Sequence, residues 1–436
     1  MKLYILAIFS LIMTGCMKHP IPSPCKLPDC SDTVKYTFKQ PDSFGSLPIL
    51  WYKIAHAPDT SASNQWCFAT EEGVILVNTL EDQYNTPYVR FLDRVTGEEK
   101  WYWNNLKGDS YSDIQYMEDR NLLMIKFWRN NAVLNTANGV ELFSSTLPDN
   151  FETSSPNGQV IGNYFYTSLL KNNSDPKTGT DYAKVIRTRL DDGKSWETIY
   201  TRTENEINGF TPYFHNMKLW IHPNTQDSII LINNRMYHWE RHMDYGPNSG
   251  VERTDVIAYN LSKRKVEWVI DSICKSSSIN DPFLIIGNSA FFKEGNYFSK
   301  IDLLNHDNQY FKYKDFGGGA IYDSINNNII GMSLGISSVS VNSQHINWSL
   351  SNPSMTNQGD IELFEGYIYV LDPHEELYVI NATTGKIVFK QFSLGMLPGR
   401  SILGMRGRAS IDRVNRLLYC SDLWGTYCLK LPDKWE

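Results

Sequence analysis

Hydrophobic and polar positions alternate along most of the chain with the two-residue period of half-buried strands, and turn formers interrupt the alternation at short intervals. Residues 378–389, YVINATTGKIVF, show the unit: an apolar alternation ends at Asn381, crosses a Thr-Gly turn and leaves on a second apolar strand. Residues 90–101 (RFLDRVTGEEKW) and 132–143 (AVLNTANGVELF) repeat it. The pattern predicts a β-hairpin each time. Taking the Asp or Asn that ends the first strand as a marker gives Asp93, Asn135, Asp191, Asn260, Asp302, Asn342 and Asn381. Most of these lie roughly 40 residues apart, the length of a four-stranded propeller blade. The two longer intervals contain the polar, Gly- and Pro-bearing stretches 169–182 and 242–255, which are expected as loops on one face of a ring.

An aromatic follows the turn in six of these repeats: Trp101, Phe143, Trp196, Trp268, Trp348 and Phe389. A twisted sheet cannot bury both of its faces alone, and large flat side chains fill the wedge between neighbouring blades. The last repeat stops short. Residues 416–436 supply strands but no outer one, whereas PILWYKI (48–54) carries Trp51-Tyr52, like Trp101-Tyr102, with no strands before it. Ile49–Ile54 is therefore expected to complete the last blade and remove its open edge. The expected fold is all-β, an eight-bladed β-propeller over residues 48–436, closed by an N-terminal outer strand in the last blade.

Composition agrees with a large β domain: 436 residues, 42% hydrophobic and 13% aromatic, with 25 Tyr and 12 Trp. The net charge of −7 argues against a nucleic-acid partner, which needs a basic face to neutralise phosphates. The N-terminus sets the compartment. After Lys2, residues 3–13 (LYILAIFSLIM) form an apolar run too short to span a bilayer, as in a signal-peptide core. It closes on Thr14-Gly15-Cys16, which resembles a bacterial lipobox. That resemblance implies a signal peptide over 1–15 and acylation of Cys16, which would anchor the chain stably. Residues 16–47, with several prolines near their start, read as a lipidated tether. Cys25 with Cys30, and Cys420 with Cys428 across the turn 421–426, are candidate disulfides; Cys67 and Cys274 have no evident local partner.

The phrase NATTGKIVF resembles the pyrroloquinoline-quinone-type propeller repeat, usually an Asp-x-x-Thr-Gly-x-x-x-Trp hairpin. The similarity runs over roughly residues 48–436 and is best in the first and seventh repeats. The family takes in quinone-dependent alcohol dehydrogenases and a non-enzymatic propeller lipoprotein of the outer-membrane barrel-assembly machinery. The dehydrogenase side of the resemblance implies a metal held by carboxylates and an amide, an Asp base, and often a disulfide between adjacent cysteines. This chain has no adjacent cysteines and no haem-attachment motif, so no cofactor is expected.

Other chemistry is sparse. HWERH (238–242) spaces two histidines as a metal helix would, but it stands in a strand-rich context with Glu240 one place late. FGGGA (316–320) lacks the Lys-Ser/Thr of a phosphate loop and suits close backbone approach at a crowded channel. Arg400, Arg406 and Arg408 stand on or beside the inner strand of the last blade and form a candidate anion site. Asp109, Asp113, Glu204 and Glu206 are candidate acid–base groups on loops leading to inner strands. Asp-Ser-Ile at 227, 271 and 323, and Asp-Thr-Val at 32, resemble the O-glycosylation motif of Bacteroidota. The expectation is a non-catalytic, membrane-anchored platform in the bacterial outer membrane, binding an envelope protein or a glycan; the alternative is an envelope hydrolase or lyase acting on polysaccharide at the channel mouth.

Overall fold

The computed structural model describes the strands of residues 43–436 and most of the turns at one end of them; residues 1–42, the connections at the other end of the sheets (55–61, 81–86, 106–110 and their counterparts in each repeat), residues 154–157 and 192–195, residue 45 and residue 436 lie outside the described residues. The candidate lipid site Cys16 and the candidate pair Cys25 and Cys30 therefore lie outside them.

Eight antiparallel sheets form the ring of a β-propeller. Blade 1 comprises Ala62–Thr70, Gly73–Leu80, Pro87–Asp93 and Glu99–Trp103, hydrogen-bonded in that order from first strand to outer strand. Blade 2 (Tyr111–Met117 to Glu141–Thr146), blade 4 (Thr211–Ile221 to Lys265–Cys274), blade 5 (Phe283–Ile286 to Asn308–Lys312), blade 6 (Gly317–Asp323 to Ile346–Ser351) and blade 7 (Asp360–Phe364 to Ile387–Phe392) repeat this order. In blade 3 two short segments, Glu152–Thr153 and Gln159–Ile161, share the first position beside Tyr164–Lys171. The three glycines of 316–320 open the first strand of blade 6, where the register shifts between Gly317 and Ala320.

Blade 8 is composite. Arg408–Asp412, Leu417–Ser421 and Gly425–Lys430 take Leu47–Ile54 as their outer strand, with Ile49 opposite Leu429 and Ile54 opposite Gly425. A further two residues, Ser43–Phe44, pair on its outside. The closing strand grips both neighbours: Leu47, Ile49 and Tyr52 pack into the core shared with blade 7, and Trp51, across a bulge, packs into the core shared with blade 1. Burying four such side chains contributes on the order of 6–12 kcal/mol before entropy.

The middle strands are covered on both faces, so they read as unbroken apolar runs rather than alternations: Val74–Val77, Leu122–Ile125 and Ile229–Ile232 are wholly buried. The markers hold these sheets in a common frame. In every blade the residue after the marker donates its N–H to the last residues of the first turn, at 2.8–3.1 Å, from Arg94 to Glu72 in blade 1 through to Leu431 and Arg416 in blade 8. This bond places the markers of blades 3 and 6 at Arg189 and Ser340, two residues before the expected Asp191 and Asn342.

Cysteine pairing needs a correction. Cys420 lies opposite Tyr427 and Cys428 opposite Tyr419, so the two side chains leave opposite faces of the blade 8 sheet. Cys420 joins the core towards blade 7 and Cys428 the core towards blade 1. Both are buried and neither forms a disulfide among the described residues, and the same holds for buried Cys67.

Candidate functional site

The described end of the ring carries the first turn of each blade and, in most blades, the hairpin before the outer strand, and the chemistry of these turns is mostly internal. At the hairpin of blade 1 the Asp93 carboxylate accepts the N–H groups of Val95 (2.8 Å) and Thr96 (2.9 Å). These bonds, led by Thr96 and joined by Lys100, hold its pKa down at about 2. Gly97 then takes a left-handed φ of 67°. A Cβ there would sit 2.6 Å from the Trp51 ring, so only glycine lets the indole of the preceding blade lie on the turn. The Trp51 Nε1–H donates to the Arg94 carbonyl at 2.8 Å. Trp101 repeats the arrangement on Gly139 with a bond to Thr136, and Trp348 on Gly385 with a bond to Ala382. In blade 5 His306 occupies the left-handed position and packs against Trp268, ring centroids 4.7 Å apart and the planes tilted by 41°.

Two clefts flank the first turn of blade 1, Glu71-Glu72. Towards blade 2, a cleft of about 310 Å³ is lined by Glu71, Glu72, Phe91, Tyr116 and Glu118, among others. Towards blade 8, one of about 350 Å³ runs past Asp93, Arg94, Val95, Lys100, Val414 and Asn415. Thr70 fixes the shared turn: its Oγ1 accepts the Glu72 and Gly73 N–H groups at 3.2 and 3.1 Å. Arg94 spends its guanidinium on the Glu71 backbone carbonyl at 2.9 Å, not on its carboxylate. Lys100 is 3.0 Å from Asp93 and 3.9 Å from Glu72. Glu118 begins the turn Glu118–Arg120, which ends on Asn121 in the left-handed region. Burial and, second to it, the Glu118 charge push the Tyr116 phenol up to about 12.

A third cleft, about 230 Å³ between blades 3 and 4, is neutralised from within. Arg187 meets Glu197 at 2.6 Å and Arg264 approaches the same carboxylate at 3.5 Å. Further inside, Arg202 and Asp255 pair at 3.0 Å where both side chains are shut from solvent. Such a pair fixes how two blades register; it is not presented to a ligand.

Of the residues singled out from sequence, only some lie among the described residues. Arg408 starts the first strand of blade 8 opposite Ser421, and Asp113 lies opposite Lys126 in blade 2. Arg400, Arg406, Asp109, Glu204, Glu206, His238 and His242 lie outside the described residues. Asp323, the first residue of one Asp-Ser-Ile, is buried and uses its carboxylate to cap the turn through the N–H groups of Ile325 and Asn326. Among the described residues no group of three or more His, Cys, Asp or Glu could hold a metal ion, and no helix is long and apolar enough to cross a membrane.

No protein-family profile matches the chain, and no curated protein matches it in sequence. Solved structures do resemble it in fold. BamB from Moraxella catarrhalis superposes with a TM-score of 0.52 at 10% identity, over 87% of this chain and 100% of that one. A europium-containing methanol dehydrogenase gives 0.59 at 9% identity, over 87% and 85%. Sqt1 from Saccharomyces cerevisiae gives 0.58 at 9%, over 88% and 98%. At these identities the likeness is one of fold.

Proposed function

We propose that the chain is a lipid-anchored protein of the bacterial envelope whose propeller is a non-catalytic platform for a protein partner. The observation that carries the reading is the surface around Glu71-Glu72. There, rigid turns hold exposed apolar side chains, Val95 at 69% and Val414 at 67%, beside the Glu71 carboxylate, which has no ion pair among the described residues. Apolar side chains set at the rim of a polar cleft are the kind of surface that a protein partner covers. The apolar run 3–13 ending at Cys16 supports the anchor, and outer-membrane placement follows from the resemblance of that segment to a lipobox.

Photoreactive residues placed at Val95 and Val414, and separately at the outer-strand positions Tyr102 and Val269, test the platform in cells. A discrete cross-linked protein at either surface is the expected result. Absence of any cross-link, together with turnover of a polysaccharide by the purified chain, would replace the platform with the enzyme. Cys16→Ser is expected to move the chain out of the membrane fraction; an unlipidated mature N-terminus measured by intact mass would remove the anchor.

A further inference from the structure

We propose that the groove formed by the two clefts on either side of Glu71-Glu72 binds an extended, basic segment of the partner, with Lys or Arg side chains against Glu71, Glu72 and Glu118 and apolar ones against Val95 and Val414. The inference rests on the platform reading and names the chemistry of its partner.

Charge selects the occupant. The groove crosses three blades, from Val414 in blade 8 past the turn of blade 1 to Glu118 in blade 2. Its basic residues are already committed: Arg94 to the Glu71 carbonyl, and Lys100 chiefly to Asp93. Glu72 keeps only the distant edge of Lys100, at 3.9 Å. The Glu71 and Glu118 carboxylates face the clefts without an ion pair among the described residues. Anionic ligands are thereby disfavoured.

Geometry then argues against a metal ion. The carboxylates do not converge in the way a metal ion requires. Cationic side chains spaced along an extended chain fit instead, because alternate residues of a strand point to one side at intervals of roughly 7 Å. The Glu71-Glu72 and Glu118 turns are fixed by Thr70 and by the left-handed Asn121, so little ordering is needed on this side of the contact.

The test measures fluorescence anisotropy of the full mature chain in detergent with a short labelled peptide alternating Lys and Val, and with its Glu-Val counterpart. Saturable binding of the Lys-Val peptide alone is expected. E71Q/E72Q/E118Q should weaken it about tenfold, as the loss of three partly exposed charge pairs implies. A variant with the same change in net charge on blades 3 to 5, E197Q/D271N/D307N, should bind as the parent does. Equal loss in both variants would reduce the effect to net charge and overturn the groove, as would equal binding of the Glu-Val peptide. Deleting residues 17–40 should leave affinity unchanged; a tenfold gain would assign the groove to the chain's own tether instead. In cells, cross-links at Tyr102 or Val269 but none at Val95 or Val414 would leave the platform standing and remove the groove, and no cross-link anywhere removes both.

Discussion

Gly97→Ala isolates the contribution of tryptophan docking to ring closure. The substitution has two separable costs. Alanine at a φ of 67° costs about 1 kcal/mol for the left-handed backbone. The new Cβ would also lie 2.6 Å from Cδ2 of Trp51, a rigid ring atom with 4% exposure around it, so the indole must withdraw. Withdrawal breaks the 2.8 Å bond to the Arg94 carbonyl, about 1 kcal/mol, and loosens part of the packing between blades 8 and 1, about 1 kcal/mol more. The expected total is about 3 kcal/mol. Gly287→Ala is the matched control. Its φ is 57°, but a Cβ there meets nothing within 4 Å, so only the backbone cost of about 1 kcal/mol applies. Urea unfolding followed by tryptophan fluorescence gives both values, and acrylamide quenching should rise in Gly97→Ala alone. Losses equal within about 0.5 kcal/mol, a margin typical of surface substitutions, would refute the docking argument.

Three further outcomes follow from the same structure. Deleting residues 47–54 should lower the melting temperature far more than deleting 1–40, because only the former bares the edge of Gly425–Lys430; equal melting temperatures would contradict the closing strand. Asp93→Asn should cost about 0.5 kcal/mol, since Asn135 and Asn381 fill the same role, whereas Asp93→Ala should cost about 1.5 kcal/mol. With its folded pKa held near 2, the parent's Asp93 contribution is present above the unfolded carboxylate range and fades as pH falls through 4 towards 2; Asp93→Asn should flatten that portion of an acid-stability curve. Burial pushes the Cys428 thiol up to about 12, so Cys67, Cys420 and Cys428 should resist a thiol reagent until the ring unfolds; rapid labelling of any of them in the native chain would contradict their burial.

The repeat was legible because its signal is local. A short polar turn between apolar strands is written into adjacent residues, and the outer aromatics Trp101, Trp268 and Trp348 stand where the wedge needs them. Register was less legible. Asp191 and Asn342 carry the right side chains two places late, because Arg189 and Ser340 hold the frame through backbone bonds that any residue makes. His222 was missed for the converse reason. It builds the same loop in the first turn of blade 4, with ring Nδ1 accepting the Asn224 and Thr225 N–H groups as an Asp would. Cys420 and Cys428 looked paired because they flank a turn, yet strand parity sends them to opposite faces. The groove residues carried no motif at all. Glu71, Glu72 and Glu118 resemble ordinary solvated turn acids, and only the meeting of three blades makes them neighbours.

The pairing of Leu47–Ile54 with Gly425–Lys430 also dictates an order of events during biosynthesis. The closing strand must wait for its blade while seven others and most of the eighth are synthesised, since Ile49 finds its place only beside Leu429. Each interior blade joins strands close in sequence and is able to form as it emerges, but the final seam spans nearly the whole chain, a long-range contact of the kind that slows folding. Until then Trp51, Tyr52 and their neighbours remain apolar and uncovered, which marks this segment as the one a chaperone would need to hold.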